Sequence, residues 1–175
     1  MPSPGAGILL LNTGTRACAI IYLIKRNGGV KVAAVNGGID QRLFDYLLHS
    51  LGKTPYYHLL GLKLVRLSPG QSEFEVLTEE KHCNPLGLLH GGLIMSIADA
   101  AMGNAIRSLG ITGVTVDISV AMIAAVPHGS VLQAIGKVRK AGKTVIFTDA
   151  EVWCENRLVG QAKGTFVNHG PVEYK

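Results

Sequence analysis

The sequence predicts an α+β domain in which an antiparallel sheet curls around one long, buried helix. Two observations carry that expectation. From Gly91 to Ser108 the chain is apolar nearly all round, with only Ser96, Asp99, Asn104 and Arg107 polar before the last serine. A helix with so little polar face belongs in a core. The text on both sides of it alternates apolar and polar residues in runs joined by short turns, and short turns make antiparallel neighbours.

The elements follow in order. Residues 1–38 form an extension of uncertain structure, with apolar runs from Ile8 to Leu11 and Ala17 to Ile24 interrupted by Arg16. No basic residue precedes the first run, and neither run approaches the roughly 20 apolar residues of a membrane helix. An extra strand, a loosely held arm or a start site placed too far upstream all fit. The domain proper spans 39–170. Asp40 caps a short helix carrying Leu43, Phe44, Leu47 and Leu48, which ends near Gly52, and Thr54-Pro55 breaks it. Leu60 to Leu67 and Glu73 to Leu77 then read as a strand pair around the Ser68-Pro69-Gly70 turn.

Gly110 stops the long helix. Beyond it, strict alternation puts Val114, Val116, Ile118, Val120 and Met122 on one face, with Thr115, Asp117 and Ser119 on the other. Three further runs, Val131 to Arg139, Thr144 to Trp153 and Leu158 to Val167, complete the sheet.

Composition narrows the function. The 175 residues are 47% hydrophobic and 17% charged, which excludes disorder and fibres. A net charge of +5 suits an anionic ligand, yet no basic run is dense enough for nucleic acid. Three cysteines, Cys18, Cys83 and Cys154, have neither metal-ligand spacing nor the even number of a disulfide framework, so a cytoplasmic setting and no metal are expected.

The chemistry lies in Asn84-Pro85-Leu86-Gly87-Leu88-Leu89-His90-Gly91-Gly92 and in Asp99. A turn and two glycines stand before a helix whose first N–H groups can hold an oxygen as it becomes negative. Asp99 supplies a base or nucleophile, and it is expected to be buried among Leu, Ile, Met and Ala. Gly91 and Asp99 are eight residues apart, about 12 Å along a helix. One carbonyl carbon cannot lie within ~3 Å of both. The acid serving one helix start therefore comes from another helix, most simply in a two-fold dimer with antiparallel central helices.

Asn-x5-His-Gly-Gly-x6-Asp, followed by Val114-Thr115-Val116-Asp117, Pro127-x-Gly129 and Gly142-Lys143, resembles the hotdog-fold acyl-CoA thioesterases, in particular their phenylacetyl-CoA thioesterase-like (PaaI-like) branch. The similarity covers about Tyr57 to Val167. It implies a hotdog fold and hydrolysis of acyl-CoA to a carboxylic acid and free CoA without a cofactor. By the same resemblance Asp99 is general base or nucleophile, Asn84 and the Gly91 N–H bind the thioester carbonyl or the attacking water, and Thr115 orients that water. His90, Gly92 and Val116 would line the substrate. Arg139, Lys140 and Lys143, with nearby Lys137, would meet the CoA phosphates. The expected assembly is a homodimer with shared sites, paired further into a dimer of dimers, without nucleic-acid or membrane partners. A hotdog hydratase or dehydratase and a non-catalytic acyl-CoA-binding module are the alternatives.

Overall fold

The computed structural model describes residues 34–174 in full and, ahead of them, the backbone of residues 6–9, 21–26 and 29–32. Those three segments are strands β1 (Ala6–Leu9), β2 (Ile21–Arg26) and β3 (Gly29–Val32), paired antiparallel in the order β1-β2-β3. Cys18 and most of the expectation for an N-terminal arm fall outside the described residues.

The main sheet is built from β4 (Val35–Asn36), β5 (Lys63–Ser68), β6 (Gln71–Leu77), β7 (Ile111–Met122), β8 (Val131–Ala141), β9 (Val145–Cys154) and β10 (Arg157–Pro171). Its order is β4-β5-β6-β8-β9-β10-β7. Every pairing is antiparallel except β4 with β5, which is parallel because the helical segment between them returns the chain to the same end. Helix α1 (Gln41–Leu51) opens as expected, with Asp40 Oδ1 accepting the Leu43 N–H at 3.0 Å. Leu43, Phe44, Leu47 and Leu67 bury a small second core beneath it.

One expectation needs correcting here. Pro55 begins a helix, α2 (Pro55–Leu60), and the following strand starts only at Lys63. Proline at a first helical position forfeits no hydrogen bond, so Thr54-Pro55 separates two helices without ending helical structure.

The long helix α3 (Gly91–Arg107) is the axis of the domain. Its Leu93, Ile94, Ile97, Ala101, Met102 and Ile106 pack on Phe74, Leu132, Ala134, Ile146, Val152 and Phe166 from the sheet. Each large side chain so buried contributes about 1.5–3 kcal/mol. The approach is closest at Gly136 of β8, where a Cβ would stand 2.3 Å from the Ala101 carbonyl carbon. Beside it the buried Ser72 hydroxyl donates to the Ala101 carbonyl at 2.6 Å, tying helix backbone to sheet.

Strict alternation along β7 fails. Against β10, Thr165 pairs with Asp117 and Phe166 with Thr115, so Val116 is the extra residue of a bulge. A bulge reverses which residues face inward. Thr115 therefore joins Ile118 and Val120 on the helix side, while Val116 is 64% exposed. β7 is also an edge of the sheet, twelve residues long and bearing exposed Val114, Val116 and Met122.

Candidate active site

The turn before α3 is held by bonds among its own residues and by the β7–β8 connection, where the Val126 carbonyl accepts the Leu89 N–H at 3.0 Å. A short 3-10 segment, Glu80–His82, is closed at its start by Glu79: His82 Nδ1 accepts the Glu79 N–H at 3.0 Å. Burial pushes the His82 imidazole below its usual value, keeping that acceptor unprotonated. The His82 carbonyl then accepts the His90 N–H at 2.8 Å. Asn84 Oδ1 accepts the N–H groups of Leu86 and Leu88 at 2.9 and 3.2 Å, and its Nδ2 is left as a donor with no acceptor among the described residues.

His90 is the N-cap of α3, and its Nδ1 accepts the Gly92 N–H at 2.8 Å. That ring explains the second glycine: a Cβ on Gly92 would lie 2.8 Å from the same nitrogen. Of the two glycine N–H groups, only that of Gly91 has no acceptor among the described residues. It points from the positive end of a 17-residue helix, well suited to a developing oxyanion.

Asp99 lies two turns further on. It is half-buried in the single chain, not enclosed by apolar residues as expected, because its face of α3 is open past the edge strand. Thr115 Oγ1 donates to Asp99 Oδ1 at 2.8 Å across that opening. The bulge makes this contact: without it Thr115 would face outward. On the same helix face, the Ser96 hydroxyl donates to the Gly92 carbonyl at 2.8 Å, so Tyr56 Oη, 2.7 Å away, is the donor to Ser96.

A second polar row leads away from Asp99. Buried Asn104 donates from Nδ2 to the Ala100 carbonyl at 2.8 Å and to Tyr57 Oη at 3.1 Å. Its Oδ1 accepts from Arg107 at 3.3 Å, and Arg107 also donates to Ser50 Oγ at 3.1 Å. Burial, with a further push from the Asp99 charge, raises the Tyr57 phenol above its usual value. Tyr56, Tyr57 and this row were not singled out from sequence. Their signal was Ser96, Asn104 and Arg107, the polar positions of an otherwise apolar helix.

The structure thus gathers Asn84, His90, Gly91 and Gly92 at one point and Asp99 with Thr115 at another. It separates the basic residues. Arg139 is exposed and hydrogen-bonded to Asp149, whose charge raises the guanidinium further. Lys140 and Lys143 are exposed at the β8–β9 turn. Through the Val145–Val167–Val114 register, that turn stands at the end of the sheet nearest Thr115. Among the described residues, no three His, Cys, Asp or Glu side chains are grouped to hold a metal, and no helix is long and apolar enough to cross a membrane.

Comparison with known proteins identifies the family and the fold. The thioesterase superfamily model matches residues 86–161, which run from the glycine turn through α3 into β10. Acyl-coenzyme A thioesterase 13 of Homo sapiens is 31% identical over 119 residues, covering 65% of this chain and 84% of the human protein. A hypothetical thioesterase of Streptococcus pneumoniae solved with coenzyme A is 25% identical, with a TM-score of 0.62 over 64% of this chain and 91% of that one. The PaaI protein of the phenylacetic acid degradation operon of E. coli, at 20% identity, shares the fold with a TM-score of 0.72 over 77% of this chain and 98% of that one. With its central helix, wrapped sheet and matching glycine turn, the chain belongs to the thioesterase superfamily as a hotdog-fold member.

Proposed function

We propose that the protein is an acyl-CoA thioesterase whose two sites each combine the glycine turn of one subunit with Asp99 of the other. One observation carries the reading: the Gly91 N–H at the start of α3 is unbonded among the described residues, and the Asp99–Thr115 pair opens on the same helix's exposed side. The named activity of the human relative and the coenzyme A in the Streptococcus pneumoniae structure support the substrate class.

In this mechanism the thioester oxygen accepts from the Gly91 N–H and from Asn84 Nδ2, and the helix dipole stabilises its growing charge. Within the partner subunit, Thr115 donates to Oδ1 of the same chain's Asp99, leaving the other carboxylate oxygen to act. That oxygen either takes a proton from water, whose oxygen then bonds to the acyl carbon, or bonds to the carbon itself to form a mixed anhydride that water opens. The C–S bond breaks on either route, and the thiolate leaves to take up a proton as free CoA. Lys140 and Lys143, exposed beside the β8–β9 turn, would meet the phosphates in this reading, while Arg139 within β8 is engaged by Asp149.

The long exposed edge of β7 supports the dimer. An unpaired apolar edge of that length is an aggregation hazard unless covered. A second copy pairing antiparallel along it continues the sheet and lays the two α3 helices antiparallel on one face, as the Gly91–Asp99 spacing requires. A mixing experiment tests the shared site. Asp99→Ala and Asn84→Ala proteins, each impaired alone, are unfolded and refolded together, and thiol release from acyl-CoA is followed. Half the dimers are mixed and each holds one intact site, so about a quarter of the wild-type rate returns. No recovery, with mixed dimers demonstrated, would mean each site lies within one chain. Tight acyl-CoA binding without thiol release would make the protein a binding module instead.

A further inference from the structure

A thioether lies beside the oxyanion donor. A Cβ on Gly91 would stand 3.2 Å from Met122 Cε and 3.5 Å from its Sδ, so the last side chain of β7 fills the space that this glycine leaves empty. An ideal Cβ is about 2.5 Å from its own backbone nitrogen, which puts the sulfur no more than about 6 Å from the Gly91 nitrogen. Thioether sulfur is a weak acceptor, and the Gly91 N–H has no partner among the described residues, so it stays free for a substrate oxygen. Met122 is 46% exposed. Of the other methionines among those residues, Met102 is fully buried and Met95 is exposed four residues further along α3. A thioester that reaches the Gly91 N–H passes Met122, so the sulfur stays open to a small solute in the proposed dimer too.

We propose that Met122 is an oxidation site through which a peroxide switches the enzyme off, its sulfoxide oxygen accepting the Gly91 N–H in place of the thioester oxygen. The inference rests on the thioesterase reading above. In the modifying step a sulfur lone pair attacks one peroxide oxygen, and the S–O bond forms as the O–O bond breaks. The other oxygen leaves as water or an alcohol, taking the proton of the transferred one; sulfur loses two electrons and the peroxide gains them. The sulfoxide oxygen extends one bond beyond sulfur. A hydrogen bond of about 2.9 Å then spans most of the remaining gap, and the three rotatable bonds of methionine adjust the rest. The positive end of α3 favours this partly negative oxygen for the same reason that it favours an oxyanion. Occupying one oxyanion donor removes about 10²- to 10³-fold in rate, and methionine sulfoxide reductases undo the change.

The test treats the full chain with hydrogen peroxide, then with dithiothreitol to return oxidised Cys83 to the thiol, and removes both reagents. Peptide mass spectrometry reads the sulfoxide at each methionine, thiol release from acyl-CoA reads kcat/KM, and NMR follows the Gly91 amide proton. As Met122 sulfoxide accumulates, kcat/KM should fall about 100-fold and the Gly91 proton should move downfield. Methionine sulfoxide reductases A and B together should reverse both changes. Each variant, with folding checked by thermal melting, is compared with its own untreated rate. Met122→Leu should keep that rate under peroxide, and Met95→Leu should lose it as the wild type does. The proposal is overturned if Met122 resists oxidation, or if its sulfoxide leaves either the rate or the Gly91 proton unchanged. Loss that persists in Met122→Leu, or protection by Met95→Leu, overturns it as well. Each of these results leaves the thioesterase reading standing. If the untreated protein hydrolyses no acyl-CoA, that reading fails and the proposal falls with it.

Discussion

The two halves of the site are built in opposite ways. The side-chain bonds of the glycine turn are local, Glu79 with His82, Asn84 with Leu86 and Leu88, His90 with Gly92, and one backbone bond from Leu89 to Val126 ties it to the β7–β8 connection. The acid half depends on distance. Asp99 meets Thr115 across sixteen residues and a strand bulge, while Asn104 meets Tyr57 across forty-seven. Local hydrogen bonds shape the turn around the free Gly91 N–H within one chain, whereas the acid keeps an exposed side that the proposed dimer would enclose. On the proposed shared site, activity depends on assembly although folding of the turn does not.

The largest way to break the comparison is at the acid. Asp99→Ala should lower kcat for acyl-CoA hydrolysis by about 10³-fold or more with binding of the ester retained, measured by thiol release and by calorimetry. Placing charge on the edge strand should act nearly as strongly. Val114→Glu with Val116→Glu puts like charges where two copies meet, so sedimentation should show monomers, and the rate should fall with the dimer fraction while circular dichroism stays native. Activity in the monomer would place a whole site in one chain.

On the turn, Asn84→Ala removes a donor to the oxyanion together with two bonds to backbone N–H groups. A loss of about 10²-fold in kcat is expected, with a lower melting temperature. Thr115→Val is milder, about tenfold, and Thr115→Ser should restore most of it because the hydroxyl returns to Asp99. The smallest effect belongs to His82. Its folded-state value is depressed, so below about pH 6.5 the unfolded chain binds a proton that the folded chain refuses. The melting temperature should decline as pH falls through that range and level off below the folded value. His82→Gln, which cannot titrate, should show a shallower decline.

Much of this was legible beforehand, and the exceptions have causes. The buried helix, its His90-Gly91-Gly92 start and Asp99 at a fixed interval are matters of composition and spacing. The Asp40 cap was equally plain, being a short-range contact. Misread positions all turn on something a one-dimensional pattern omits. Period-two alternation put Thr115 on the face opposite Ile118 and Val120, because a bulge adds a residue that alternation does not register. Pro55 was taken as a break because proline both ends and begins helices. The ring of His90, expected to line the substrate, also caps α3, a contact that depends on the ring's rotamer and not on sequence spacing.

Sequence alone therefore determined the central helix, the turn that exposes its first N–H and the separation of Gly91 from Asp99 by about eight helical rises, on the order of 12 Å. These rest on side-chain polarity, backbone freedom and helix pitch, all properties of neighbouring residues. Only the tertiary structure decided that Thr115 faces Asp99, that Arg107 and Asn104 orient Tyr57, and that β7 lies at the sheet's edge. Those depend on strand register and on which elements pack together, which the whole chain settles by burying its apolar surface while satisfying its buried polar groups.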